Sequence, residues 1–317
     1  MLTTYCHTYS LSTVVANRPT AKAMDISSLP RIDVSSTVYS ERYAVYIAYS
    51  NKVKMMEWIS DRFDEEITYH LPNNGDLKLS ILGIGSGDGK FEVKMIMKLK
   101  KKFRLIDCTV VEPSAERMAS YRKLVKDEKN ALFGVTFDWR QETFQEFCKA
   151  NPDRSKKFHF VSLIHCAYYI HKRDLDYYMD VITRWTEGKI LIMQDADVSI
   201  FGLLDKKFPG VYNGLRPLIL GDTIMDSFKT LGMSFETSSL PCELDITACF
   251  DNDSRDGKLL LDFLLQVVGL VDDGPPEALK MVKEFLKSEG FSYTRNGRNW
   301  VENPTQVIII TPTSRKM

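Results

Sequence analysis

The stretch LSILGIGSGDGKFEVKMI, residues 79–96, joins an apolar run to a helical pattern through Gly83, Gly85, Gly87 and Gly89. A strand over 79–84 that turns directly into a helix needs a residue free to take positive φ, and glycine does so without a Cβ penalty. One glycine serves the turn. The others point to a ligand lying against the backbone at the strand's carboxyl end, where open α/β sheets bind their ligands.

The rest of the chain alternates as such a sheet requires. Residues 41–64 put Ala44, Ile47, Ala48, Met55, Trp58 and Ile59 at near-helical spacing, so one or two helices precede the sheet. Apolar runs at 79–84, 104–111, 158–164 and 189–193 are separated by helical segments, the pattern of parallel strands buried on both faces. TQVIIITPT, 305–313, reads as a terminal strand returning to an edge of the core sheet, in antiparallel sense. Residues 200–275 break the rhythm with Pro209, Pro217, Pro241 and Pro275. The expected division is a disordered tail over 1–35, helices and the ligand-binding core over 36–199, a substrate-binding insertion and lid over 200–304, and the edge strand over 305–317.

Charge narrows the ligand. Lys plus Arg and Asp plus Glu each total 42 in 317 residues, so no global field draws the chain to nucleic acid or an anionic membrane surface. A small molecule suits that balance better. The six cysteines form no CxxC pair, and Cys108 and Cys166 sit inside apolar runs, which points to a reducing, cytoplasmic setting and away from zinc. No run reaches the roughly 18 apolar residues of a membrane span.

The glycines form GxGxG, with Lys90 where a dinucleotide fingerprint carries its third glycine, which counts against an NAD-linked oxidoreductase. The next strand ends in VVEP, so Glu112 stands at its carboxyl tip, ready to accept hydrogen bonds from two ribose hydroxyls. Glycine loop and acid in this order look like an S-adenosylmethionine-dependent methyltransferase of the Rossmann-like class I. The fold expected is α/β, a mostly parallel sheet with helices on both faces and a smaller substrate-binding insertion. Asp195 and Asp197 near the fifth strand's end read as caps or solvated acids, since no third metal ligand is visible.

ILGIGSGDG, VVEPSAERMASYRKLV, FDWRQET, LIHCAYYI and LDITACFDNDSRDGKLLLDFL together resemble histamine N-methyltransferase in order and spacing, from about residue 39 onward. The resemblance implies a monomeric, cytoplasmic enzyme, and the expected activity is methylation of a nitrogen of a small aromatic or imidazole-type amine or amino-acid-like acceptor. A small-molecule O-methyltransferase and a non-catalytic S-adenosylmethionine-binding relative are the alternatives. On the cofactor side it implies Gly85, Gly87, Glu112 and Ile164, with Arg117 standing for the family's glutamine and Phe144 for its serine. Met193 and Trp139 are assigned to core packing.

On the acceptor side the resemblance implies Tyr39, Tyr43, Tyr168, Tyr169, Phe201 and Phe250 around a flat ring or cation, and Asn303 before the last strand. The family's amine-binding glutamate is replaced by Lys52, or by Asn51 under a one-residue shift. Lys52 would repel an ammonium and attract an anionic group, which argues against histamine itself. His165 takes the place of a glutamine beside Ile164, where it is positioned either to accept the acceptor's proton or to orient its ring.

Overall fold

The structure, a computed structural model, describes residues 26–33, 36–72, 78–152, 157–212 and 218–312. Three helices come first: α1 (Thr37–Tyr49), α2 (Val53–Asp61) and α3 (Phe63–Glu66). Strands and helices then alternate through β1 (Leu79–Ile84), α4 (Lys90–Leu99), β2 (Ile106–Val111), α5 (Ala115–Asp127), β3 (Val135–Arg140) and α6 (Phe144–Ala150). The alternation continues through β4 (Phe158–Ile164), α7 (Leu175–Trp185) and β5 (Thr186–Asp195). After it come α8 (Ile200–Lys207), α9 (Gly221–Thr230), β6 (Phe235–Leu240), β7 (Glu243–Asp245), α10 (Arg255–Leu265) and α11 (Pro276–Leu286). The chain closes with β8 (Ser292–Arg295), β9 (Arg298–Glu302) and β10 (Thr305–Ile310).

Seven strands form one sheet in the order β3-β2-β1-β4-β5-β10-β6, and β10 runs antiparallel to both its neighbours while β1 to β5 pair in parallel. Side chains alternate across it. Leu191, Met193, Val307 and Ile309 pack with α2, α4 and α5 on one face. Ile190, Ile192, Ile308 and Ile310 pack with α6, α7 and α9 on the other. A period of two with both faces covered accounts for the continuous apolar runs. The Rossmann-like sheet with helices on both faces is therefore formed as expected. The strand order reverses between β1 and β4, so the loops after β1, β2, β4 and β5 share the rim where such sheets bind ligands.

Three expected boundaries move. The terminal strand returns to the sheet antiparallel but is not its edge, because β6 pairs with it on the outside from Thr305–Leu240 to Ile310–Phe235. Residues 200–304 are not one insertion, since β6 belongs to the main sheet and α9 packs on its face. The tail ends earlier than residue 35: Ile26, Leu29 and Ile32 are buried against α10 and α11, and the amide of Val268 donates to the carbonyl of Pro30 at 2.8 Å. Residues 1–25 lie outside the described residues. The second core joins α1, α8, α10 and α11, and the small sheet β7-β9-β8 lies beside it. A buried ion pair pins α1 to α10: the Arg42 guanidinium donates to Asp262 from Nη2 at 2.8 Å and Nε at 3.1 Å. Asp262 also accepts from the amides of Gly269 and Leu270, so its lone pairs are well used.

Candidate active site

The glycine loop is closed by Glu112. One carboxylate oxygen accepts from the amide of Gly87 at 2.8 Å and the other from the amide of Ser114 at 2.9 Å. Ser114 in turn caps α5 by accepting from the amide of Arg117, which leaves Pro113 before the cap and not in the first turn. The loop's glycines divide by cause. A Cβ on Gly83 would overlap the Glu92 carboxyl, and one on Gly85 would collide with Cys166. Only at Gly87, with φ +59, is the space open, the nearest atom being Arg117 Nη1 at 3.8 Å. The surplus glycines thus reflect packing as much as ligand approach.

Glu92, on the first turn of α4, lies beneath this loop. Its Oε1 accepts from Ser86 Oγ at 2.9 Å and Ser162 Oγ at 3.3 Å, while Oε2 is buried with no partner among the described residues. Burial pushes its carboxyl up to about 7 against those hydrogen bonds. An unpartnered buried oxygen favours the neutral acid for the same reason.

Across the rim, α1 presents one aromatic face. Tyr39, Tyr43 and Tyr46 recur at i, i+4 and i+7, and Ser36 caps the helix by accepting from the amide of Tyr39. Tyr39 and Tyr43 stack at 5.7 Å, Tyr46 stacks on Phe263 of α10 at 4.7 Å, and Phe201 of α8 meets Tyr46 edge-on at 5.8 Å. Tyr168 and Tyr169, in the turn after β4, pack edge to face at 4.8 Å, and the Tyr169 hydroxyl lies 3.3 Å from that of Tyr39. Arg117 reaches from α5 over this face, its guanidinium carbon 5.4 Å from the Tyr39 ring centre and 5.1 Å from that of Tyr43. It stands at the seam between glycine loop and aromatic box.

Lys52 carries no free charge in this box. Its ammonium donates to Asp195 Oδ1 at 3.0 Å, on the last residue of β5, and lies 3.1 Å from His165 Nε2. Asp195 Oδ2 is 3.6 Å from His165 Nδ1. Burial pushes the Asp195 carboxyl up, but Lys52 and then His165 outweigh it and hold it well below the usual carboxylate range. Burial, and then the Lys52 charge, lower His165, with Asp195 opposing. The imidazole is therefore neutral, and both ring nitrogens face the ion pair. His165 also sits at φ +48, held by its amide donating to the Met193 carbonyl at 2.8 Å. A non-glycine residue in this region costs of order 1–3 kcal/mol and persists only where its surroundings fix it.

Several expected residues lie elsewhere. Asn51 donates from its amide to Glu243 Oε2 at 3.2 Å and accepts from the Glu243 amide, which ties α1 to β7 and spends its side chain outside the box. Phe144 is buried against Tyr178 and Trp185 of α7. Phe250 has Lys287 over its ring at 4.7 Å, and among the described residues no ring contact joins it to the tyrosines. Asn303 is buried, donating to the Tyr46 hydroxyl at 2.8 Å and accepting from the Ile200 amide, so it fixes Tyr46 from behind. Trp139 and Met193 are core residues as expected. Tyr46, Phe263 and Asp195 complete the site; the seven-residue step from Tyr39 to Tyr46 was the signal for the first.

Asp197 accepts from the Asp222 amide at 2.8 Å, on α9, so the two acids after β5 have separate partners. An adenosyl group with its ribose fits the rim. Each Glu112 oxygen accepts one main-chain hydrogen bond and keeps a lone pair, and Gly87 leaves room beside it. Ile164 lies half-buried at the end of β4, next to His165.

No family model matches the chain. It is 29% identical over 280 residues to histamine N-methyltransferase A of Xenopus laevis, covering 86% of this chain and 94% of that one. To carnosine N-methyltransferase 2 of Gallus gallus it is 28% identical, over 82% of each. To histamine N-methyltransferase of Bos taurus it is 24% identical, over 90% of this chain and 99% of the other. The likeness read from VEPSAE, the Tyr168-Tyr169 pair and DIxxCF thus belongs to a similarity that covers most of this chain and most of these histamine and carnosine N-methyltransferases.

Proposed function

We propose that this chain is an S-adenosylmethionine-dependent methyltransferase that acts on a nitrogen of a small aromatic or imidazole-type acceptor. One observation carries the reading: Arg117 lies beside the glycine loop at Gly87 and over the rings of Tyr39 and Tyr43, so the loop closed by Glu112 and the tyrosine box are neighbours. Gly85, Gly87, Glu112 and Ile164 hold the cofactor in this reading. When bound, S-adenosylmethionine supplies a methyl group already activated by its sulfonium.

The chain's own residues then have to orient and to exclude water. Tyr39, Tyr43, Tyr46, Tyr168 and Tyr169 hold the acceptor ring, and their π faces attract the positive charge that its nitrogen gains. His165 is a positioning residue here and not the proton acceptor, because a proton on its Nε2 would face the Lys52 ammonium at 3.1 Å. An imidazole nitrogen with a free lone pair needs no base. The acceptor region is α1, α8, α10 and α11 with the small sheet.

A monomer in a reducing, cytoplasmic setting agrees with five buried free thiols among the described residues. Among those residues no helix is long and apolar enough to cross a membrane. Zero net charge favours a small-molecule acceptor over nucleic acid. Incubation with methyl-labelled S-adenosylmethionine and a panel of amines, imidazoles, imidazole amino acids and phenols, read by product mass, tests the activity. Products methylated only on phenol oxygen would replace N- by O-methylation, and S-adenosylhomocysteine binding without any product would favour a non-catalytic relative.

A further inference from the structure

We infer that Arg117 is the residue that selects the acceptor, by pairing with a carboxylate the acceptor carries. This rests on the methyltransferase reading and goes beyond it to the acceptor's chemistry. Among the described residues Lys52 is neutralised by Asp195 at 3.0 Å, so it offers no charge to a ligand. Arg117 differs. Its guanidinium forms no ion pair with a carboxylate among the described residues, and Glu112 accepts from the amides of Gly87 and Ser114. What holds the guanidinium is the pair of stacked rings of Tyr39 and Tyr43, at 5.4 and 5.1 Å.

A half-buried guanidinium resting on π faces keeps its N–H donors in the plane of the fork, where a planar carboxylate accepts two of them in parallel. The rings that orient Arg117 are those that line the acceptor box, so the anion it binds lies on the same molecule as the ring they hold. The acceptor class is then an aromatic or imidazole ring bearing a carboxylate a few bonds away.

The test uses the full chain saturated with S-adenosylhomocysteine and two probes, imidazolepropionate and histamine, titrated by calorimetry into wild type, Arg117→Gln and Arg117→Lys. Imidazolepropionate is expected to bind the wild type about tenfold or more tighter than histamine. Arg117→Gln is expected to lose that advantage, while Arg117→Lys keeps part of it and S-adenosylhomocysteine affinity changes less than about threefold. A fall in S-adenosylhomocysteine affinity as large as that for the probe would show that the guanidinium serves the cofactor's own carboxylate and overturn the proposal. Preference for histamine, or no binding of imidazolepropionate, would overturn it equally. Should S-adenosylhomocysteine not bind the wild type, the methyltransferase reading fails by itself, and the same probe titrations without it still report on Arg117.

Discussion

The glycine rim is made from Gly85, whose amide donates to the Val111 carbonyl, and from Gly87 and Ser114, whose amides donate to the Glu112 carboxylate. The aromatic box opposite is made from α1, the turn after β4, α8 and α10, and its polar floor joins Lys52, His165 and Asp195 across three elements. The first arrangement depends on backbone geometry, which tolerates change around it. The second depends on several side chains meeting at once, and each loss leaves a buried partner exposed to the interior. Ligand chemistry that stays constant suits the first, and chemistry that must discriminate suits the second.

The difference is broken most severely at Lys52. Lys52→Glu is expected to destabilise the fold by about 3–5 kcal/mol, the cost of breaking a buried pair and leaving its charge behind. Denaturant unfolding reads this directly. Joining Lys52→Met to Asp195→Leu is expected to recover most of the loss, and a single substitution without effect would mean that the pair is solvated.

The rim has its own buried acid. Between pH 4.5 and about 7 folded Glu92 keeps a proton that the unfolded chain releases, so stability falls as pH rises through that window. The shift corresponds to about 3 kcal/mol as an order of magnitude. Glu92→Gln is expected to flatten this stretch of the stability profile, and a profile unchanged by the substitution would assign the slope to other groups.

Glu112→Ala removes the acceptor of two loop amides and of the proposed ribose contact. S-adenosylhomocysteine affinity is expected to fall by about 2 kcal/mol, roughly thirtyfold. Calorimetry showing wild-type affinity would take Glu112 out of the rim's cofactor-binding function.

The smallest change is His165→Gln. As pH falls below 6.5 the unfolded chain protonates this histidine while the folded chain, with its value lowered, does not, so the wild type loses stability toward acid. His165→Gln is expected to lessen that acid limb and to alter stability at pH 8 by less than about 1 kcal/mol. An unaltered limb would show that the ring is not held neutral by burial and the Lys52 charge.

What could be read from sequence follows the same division. GxGxG and VVEP sit at strand ends within 27 positions, so local pattern was enough to find Gly85 and Glu112. β3 was not legible as a strand of this sheet because V-T-F-D-W-R alternates between half-buried and exposed and forms no continuous apolar run. The partners of Phe144 and Phe250 were not legible, because an aromatic side chain's neighbours are set by packing between distant elements, here α7 and the end of α11. The sign of Lys52 was legible but not its neutralisation, which needed Asp195 from the far end of β5.

β10, with Val307, Ile308, Ile309 and Ile310, is the strand most prone to pair with a stranger, and its place between β5 and β6 has a colloidal consequence. With a pI near 7.0, copies of this chain do not repel one another at neutral pH. Keeping them apart falls to the outermost strands. β6 shows Glu236, Thr237, Ser238 and Ser239 to solvent, and β3 shows Thr136, Asp138 and Arg140. Both free margins are therefore hydrophilic, and the stickiest segment of the chain is shielded on either side by its own neighbours.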